Sequence, residues 1–444
     1  MTTRVHLIKP PSPALPGPHP AWLPLDLLSL AGVVRDEEYR ERVVRAYGGQ
    51  PVLRASADVQ IWDWSTWPHA ARLPELVAGC GAADIFGISA FSTQAETARR
   101  TALLIRQAYP TSTILLGGPH ATLYGDADWM ASAVDIVNVG EGFENLPLIL
   151  HDRDVRTARL ARRSDAADAA PRLPMDAYPL SADSLDVLSL PGYPPTRLAA
   201  YGGRLRSPIA SVMAGVGCRG RCAFCAGPVL EPRLRHRSIE RVCQEIRGYR
   251  AAGVRLFDIA DDDFSGVRER PLALARALEE EYPTGDIEWV FNMLPRHERH
   301  PGAAEYRRDV SYFDALGRGH CRGFSLGVET GDEQLLRACG KPSTVSDALR
   351  LTTLAQHCGL GVRWFLMVGL PGQDWRSIEH TAAVLRQGRP TDVAVSVYAP
   401  RRGTRWYGDT RVRVTENGRT ETDVMTADEI DEAMRFLAEV ALSR

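Results

Sequence analysis

The chain has 444 residues, of which 44% are hydrophobic and 24% charged, and its 53 Lys and Arg against 55 Asp and Glu leave a net charge of −2. At roughly 150 residues per domain this length predicts two or three domains, and the absent basic excess excludes a general nucleic-acid binder. Mean hydropathy is −0.20, no apolar run is long enough to span a bilayer, and Met1 to Pro20 lacks the pattern of a secretory signal. The expectation is a soluble, cytoplasmic protein with no membrane or nucleic-acid partner.

Val5 to Ile8, Val59 to Trp62, Asp84 to Ser89, Thr113 to Leu116 and Asp135 to Val139 read as short strands. Leu23 to Val34 and Thr93 to Ala108 carry helical spacing between them. Apolar strands alternating with helices predict an α/β domain over residues 1–151, a doubly wound parallel sheet covered on both faces. Its ligand crevice is expected at the strand C-termini. Residues 152–206 are rich in Ala, Asp, Arg and Pro and read as a linker.

A second series of strands follows: Ile209 to Val216, Arg255 to Ala260, Glu288 to Asn292, Gly323 to Val328, Val362 to Val368 and Val393 to Tyr398. Six strand–helix units over 207–408 fit a partial barrel with its site at the strand C-termini. Ser238 is the expected N-cap of a helix to Ala252. In the helical segment 409–444, Thr426 and Glu429 form a capping-box pattern ahead of Ala427 to Leu442.

Eight cysteines in a long chain are too sparse for a disulfide-stapled fold. Five are scattered and read as small buried residues. The other three, Cys218, Cys222 and Cys225, give C-x3-C-x2-C in a Gly-rich loop after the first strand of the second series. A structural zinc takes four ligands and would need a distant fourth. Three thiolates suit a [4Fe-4S] cluster with one iron left open. Gly215 to Gly220 also spells G-x-G-x-x-G, but a cysteine sits inside it and the next helix starts too late for a dinucleotide turn.

The cysteine loop resembles the defining motif of the radical S-adenosylmethionine (radical SAM) superfamily. The resemblance implies that Cys218, Cys222 and Cys225 hold the cluster while S-adenosylmethionine takes the fourth iron. It implies an adenine contact around Phe224 and a methionine-group contact at Asp261-Asp262-Asp263. Gly327-Val328-Glu329-Thr330-Gly331 resembles the family's G-x-E-S-G segment, so Glu329 is a candidate for the cofactor's polar groups, with Lys341 downstream. Gly369-Leu370-Pro371-Gly372 resembles the segment supporting the adenosine. Each acidic residue has the alternative of a solvated loop charge.

The first domain resembles the cobalamin-binding domain that precedes many radical SAM cores, at Ser89, at Gly117-Gly118-Pro119-His120 and at Gly140 to Glu144. The D-x-H-x-x-G motif that supplies a cobalt-ligating His is absent, and Asp63 to Pro68 stands in its place. Trp62, Trp64 and Trp67 are open to three readings: core, cobalamin-facing wall or crevice plug. His120 is more simply a hydrogen-bonding histidine than a metal ligand. Tyr398 and Arg401-Arg402 end the sixth strand, where Tyr398 joins Glu329 as a catalytic candidate.

The implied function is reductive cleavage of S-adenosylmethionine to a 5′-deoxyadenosyl radical that takes hydrogen from a polar small molecule, with electrons from a reductase. With cobalamin as an additional cofactor the expected outcome is C-methylation. The alternatives are cobalamin-independent dehydration of an aminoglycoside-type diol, and a non-catalytic iron–sulfur or corrinoid-binding protein. Frequent Ala and Arg suggest a GC-rich bacterial source and an antibiotic or specialised-metabolite pathway.

Overall fold

A computed structural model describes residues 2–12, 23–49, 57–65, 72–125, 133–151, 173–189, 209–294, 303–415 and 418–443. Trp67 lies outside them, as does most of the segment expected to be a linker. The chain divides into two compact units, Met1–Val212 with Gln244–Leu256, and Met213–Cys243 with Phe257–Arg444.

The first unit is built on β1 (Thr3–Lys9), β2 (Ala57–Asp63), β3 (Ile85–Ser89), β4 (Thr113–Gly117), β5 (Ile136–Val137) and β6 (Leu188–Ser189). Its helices are α1 (Leu25–Arg35), α2 (Glu37–Ala46), α3 (Leu73–Cys80), α4 (Ala95–Ala108), α5 (Pro119–Tyr124) and α6 (Gly142–His151). The strands run in the order β5-β4-β3-β1-β2-β6, and every neighbouring pair is parallel. That order reverses between β1 and β3, so the switch-point crevice opens at Lys9 and Ser89. On one face, Phe86, Ile88, Ile114 and Leu116 of the sheet pack with Ile105 of α4 and Leu76 of α3. Period-2 alternation is lost in β3, buried at every position, because helices cover both faces.

The second sheet, a curled parallel half-barrel, has the order β14-β13-β12-β11-β10-β7. Its strands are β7 (Ile209–Val212), β10 (Leu256–Ile259), β11 (Glu288–Met293), β12 (Cys321–Glu329), β13 (Gly361–Val368) and β14 (Asp392–Val397). Two short hairpins flank it, β8 (Gly215–Val216) with β9 (Arg235–His236), and β15 (Val412–Val414) with β16 (Thr420–Thr422). The helices are α7 (Gly227–Leu230), α8 (Ile239–Ala251), α9 (Glu269–Glu281), α10 (Ala303–Arg318), α11 (Glu333–Ala338), α12 (Val345–His357), α13 (Trp375–Gly388) and α14 (Ala427–Leu442). Alternate residues Trp289, Phe291, Phe324, Leu326, Val362, Trp364 and Leu366 are buried. Trp364 fixes which side this is, because its indole donates to Thr352 Oγ1 on α12 at 2.9 Å. The opposite parity (Asn292, Ser325, Arg363, Phe365 and Met367) therefore faces the concave side.

The run expected as one strand from Ile209 to Val216 is broken at Met213 and Ala214, and its second half turns into the β8–β9 hairpin. Residues 173–189, inside the expected linker, form two 3-10 turns and then β6, which pairs with β2 at the sheet edge. Helices α2 and α3 were not evident in the sequence. The expected caps are present: Arg241 N donates to Ser238 Oγ, and Thr426 and Glu429 exchange bonds in a capping box.

Candidate cluster and cofactor site

The cysteine loop is shaped by glycine. A Cβ on Gly215 would lie 2.6 Å from His236 Nδ1 and 2.9 Å from Asp261 Oδ2. Gly217 has φ +84°, and a Cβ there would meet the Arg233 carbonyl at 2.4 Å. The two glycines of the spurious dinucleotide pattern thus allow the β8–β9 hairpin to close against the loop base. Asp261 accepts from the backbone N–H of Ala214 at 2.9 Å and of Gly215 at 2.7 Å, tying the end of β10 to that hairpin. Burial pushes its carboxyl up to about 7 despite those bonds.

Cys218, Cys222 and Cys225 are half-buried free thiols. The backbone N–H groups of Gly220 and Gly227 each approach a sulfur, Cys218 Sγ and Cys225 Sγ, at 3.3 Å. The position of a Cβ on Gly220 lies 3.4 Å from Cys218 Sγ and 3.7 Å from Cys222 Sγ, so two sulfurs converge over one glycine. Burial pushes the Cys222 thiol up to about 12, while Lys341 pulls it back. Burial raises Cys218 and Cys225 as well, and the sulfur-directed N–H donors and the nearby ammonium offset only part of that rise, in the direction a cluster ligand requires. Two backbone bonds clamp the loop: Ala223 N donates to the Cys339 carbonyl at 2.7 Å, and Trp406 N to the Ala223 carbonyl at 3.1 Å.

At the end of β12, Glu329 takes φ +66° where the register with β13 shifts. A non-glycine residue held there stores strain that the surroundings must over-determine. Its Oε1 accepts from Lys341 Nζ at 2.6 Å, and the two side chains are only 10% and 5% exposed. Burial opposes the Lys341 charge, but Glu329 and then Cys222 overcome it and the ammonium titrates above its usual range. A Cβ on Gly327 would fall 2.5 Å from Glu329 Oε1 and 2.6 Å from Lys341 Nζ. The ion pair therefore lies directly over Gly327. Gly331 packs its Cα on the Thr381 backbone and donates to Thr381 Oγ1 at 2.8 Å.

The remaining expected residues fall into three places. Asp262 keeps solvent contact as a residue, but its carboxyl is partly desolvated beside Gly227 and the Cys225 sulfur, and that desolvation, with Asp263, raises it. Phe224 tilts against Trp406 at 6.4 Å, and Gly369 with φ +76° lies under Ile430 of α14. Tyr398 is 1% exposed, and its hydroxyl donates to the Trp406 carbonyl at 3.3 Å, propping the segment that clamps the cysteine loop. Cys339 and Trp406, which contribute those clamps, carry no signal in the sequence because each acts through its backbone.

In the first unit, Ser89 donates to Asp26 Oδ2 at 2.6 Å, and Asp26 pairs with Lys9 at 2.5 Å. Lys9 stands 4.3 Å over the Phe91 ring. Gly118 has φ +90°, and a Cβ there would lie 2.9 Å from Ala90 N and O. The Gly117 position is 3.8 Å from Asn138 Cβ. Trp64 is fully buried in the core, Trp62 packs on its edge, and His120 is buried and stacked on Tyr124.

Residues 212–385 match the Radical SAM superfamily. The chain carries a radical SAM domain. Its cofactors are a [4Fe-4S] cluster and S-adenosylmethionine. An uncharacterized protein of Methanopyrus kandleri is 32% identical over 176 residues, 37% of this chain and 32% of that one. The fold is shared with the radical SAM methyltransferase TsrM from Kitasatospora setae, solved with tryptophan and an S-adenosylmethionine analogue. The TM-score is 0.64 at 18% identity, covering 91% of this chain and 75% of TsrM. It is shared also with the cobalamin-dependent radical enzyme OxsB bearing aqua-cobalamin and S-adenosylmethionine. That TM-score is 0.65 at 15% identity, covering 100% of this chain and 56% of OxsB. The chain thus spans about a third of the Methanopyrus relative and little over half of OxsB. Among the described residues, no helix is long and apolar enough to cross a membrane.

Proposed function

We propose that this radical SAM enzyme abstracts hydrogen from an unactivated carbon of a polar small molecule and that the product is C-methylated. The observation carrying the first half is the loop of three half-buried thiols, two of them facing N–H donors, with the Glu329–Lys341 pair at a neighbouring strand end. Once loaded, the cluster and S-adenosylmethionine supply a 5′-deoxyadenosyl radical. Cys218, Cys222 and Cys225 hold the iron. Glu329, paired with Lys341, and Asp262 are placed to accept from the cofactor's polar N–H and O–H groups. Asp261 sets the height of the loop, for it is buried and its Oδ1 accepts from two backbone N–H groups. Phe224 and Gly369 border the adenosine, and the concave face with Asn292, Ser325 and Phe365 receives the substrate.

Methylation is supported by the likeness to TsrM and OxsB across both sheets. The strand ends of the first sheet fit a flat corrinoid: Gly118 brings backbone close, Gly140 has no atom within 4 Å where a side chain would stand, and Phe91 is 48% exposed. Gly117, Gly118 and Ser89 would hold cobalamin, which when bound supplies a methyl carrier. A bacterial specialised-metabolite pathway, a cytoplasmic location and a dedicated electron-donating partner complete this reading.

One observation favours a second outcome, cobalamin-free dehydration of a diol. The Lys9–Asp26 ion pair, bonded to Ser89, sits at the switch point between β1 and β3, where a nucleotide tail would enter. The two separate in an anaerobic assay. Methylation uses S-adenosylmethionine twice, as radical source and as methyl donor. It should yield S-adenosylhomocysteine and 5′-deoxyadenosine in about equal amounts. Active protein free of corrinoid that makes only 5′-deoxyadenosine would replace methylation with dehydration.

A further inference from the structure

Within C-R-G-R-C, the cysteine ligands Cys218 and Cys222 bracket Arg219 and Arg221, and both arginines are exposed. The exposed Arg405 joins them. Its guanidinium lies 2.9 Å from the Cβ position of Gly340, and that position is 3.7 Å from the Arg221 carbonyl. The Trp406 N to Ala223 carbonyl bond pins this segment to the cysteine loop. None of the three arginines makes a hydrogen bond or ion pair with a described residue, although ion pairs are plentiful elsewhere. The nearby carboxylate of Asp409 is already taken by Arg411 at 2.7 Å. Tyr407 stands 50% exposed beside Trp406, and Val229, on α7, is 39% exposed, giving the patch an apolar component. Three guanidinium groups without an ion-pair partner among the described residues, on a chain of net charge −2, concentrate charge opposite in sign to the molecule's own.

We propose that Arg219, Arg221 and Arg405 form the docking surface for a small acidic electron-carrier protein. The inference rests on the reading above that Cys218, Cys222 and Cys225 hold a [4Fe-4S] cluster. Electron transfer slows steeply with distance, and Arg219 and Arg221 are the exposed chain neighbours of two residues that would ligate the iron. The reduced carrier gives up one electron and is oxidised by one; the cluster gains that electron, and no bond or proton need move. Opposite charges speed such encounters and make them salt-dependent, without requiring a large interface.

The test is stopped-flow reduction of the reconstituted full-length protein, followed by loss of visible cluster absorbance. Reduced flavodoxin serves as the acidic carrier and dithionite as the small reductant. In the variant Arg219→Gln/Arg221→Gln/Arg405→Gln, the flavodoxin rate at low salt should fall at least about tenfold and lose most of its salt dependence. The dithionite rate, iron content and S-adenosylmethionine affinity should stay within about twofold of wild type, a smaller change than loss of a substrate contact gives. The corresponding triple Arg→Lys variant keeps the charge and should keep most of the flavodoxin rate. An unchanged flavodoxin rate in the Gln variant, an equal loss with dithionite, or weakened S-adenosylmethionine binding would each overturn the docking surface. Failure of the cluster reading shows differently, as a wild-type protein that retains no iron.

Discussion

The buried ion pair Glu329–Lys341 depends on a residue that contributes no side chain. Gly327→Ala would drive a methyl between the two charges, and the expected cost is about 1–3 kcal/mol from overpacking. A weaker affinity for S-adenosylmethionine should accompany it. Thermal unfolding and equilibrium dialysis check both; tight binding in a correctly folded Ala variant would remove Glu329 from the cofactor site. A second residue-scale prediction concerns Asp258 on β10, which has no hydrogen bond to a described residue. Burial pushes its carboxyl from 3.8 up to about 6, against the pull of Arg363. The folded state therefore holds this proton more tightly than the unfolded chain. Its contribution to stability is lost as pH rises from about 4 through about 6 and is flat above that. Asp258→Asn should lack this loss, so the melting-temperature gap between variant and wild type should widen in the variant's favour over that range.

At the scale of elements, α14 shows how the C-terminal segment reaches the site, for it covers Gly369 through Ile430 and packs along β14 and α13. Thr426→Ala removes half of its capping box. The expected loss is about 1 kcal/mol of stability, read as a lower melting temperature with unchanged iron content. The strands of the half-barrel were legible because their apolar runs are long and end at glycines or at charge. Three features were hidden for physical reasons. The break after Val212 depends on Gly215 and Gly217 meeting a distant hairpin, so the local apolar pattern runs straight through it. Helix α2, EEYRERVVRA, buries only Tyr39, Val43 and Val44 and shows too narrow a stripe. β6 is two residues long and exists only by pairing with β2. In the site, the cysteine spacing was legible alone, whereas Glu329 and Lys341 needed the resemblance. The clamps from Cys339 and Trp406 are backbone contacts that no spacing reveals.

For the molecule as a whole, each sheet presents its own strand-end chemistry, one lined with glycine and an ion pair, the other with thiols. Gly118→Val separates them. At φ +90° and 2.9 Å from the Ala90 backbone, a branched side chain must displace the β3 end. The expected result is loss of retained corrinoid with the iron content intact, measured by visible spectra and iron analysis on one preparation. Equal loss of both would mean that the variant has unfolded more than its own sheet.

The division of the chain also has a consequence for its birth on the ribosome. The first unit is completed only by Gln244–Leu256, so the segment Met213–Cys243 with its cysteines is bracketed by sequence belonging to a unit made earlier. When Leu256 has emerged, that segment can already be anchored at both ends. Glu329, Lys341 and Trp406 are then still unsynthesised. At roughly 5–20 residues per second, the rest of the chain takes on the order of ten to forty seconds. For that interval the nascent chain displays three thiols on a tethered loop with no barrel to shelter them. It is the period in which oxygen has the freest access to them.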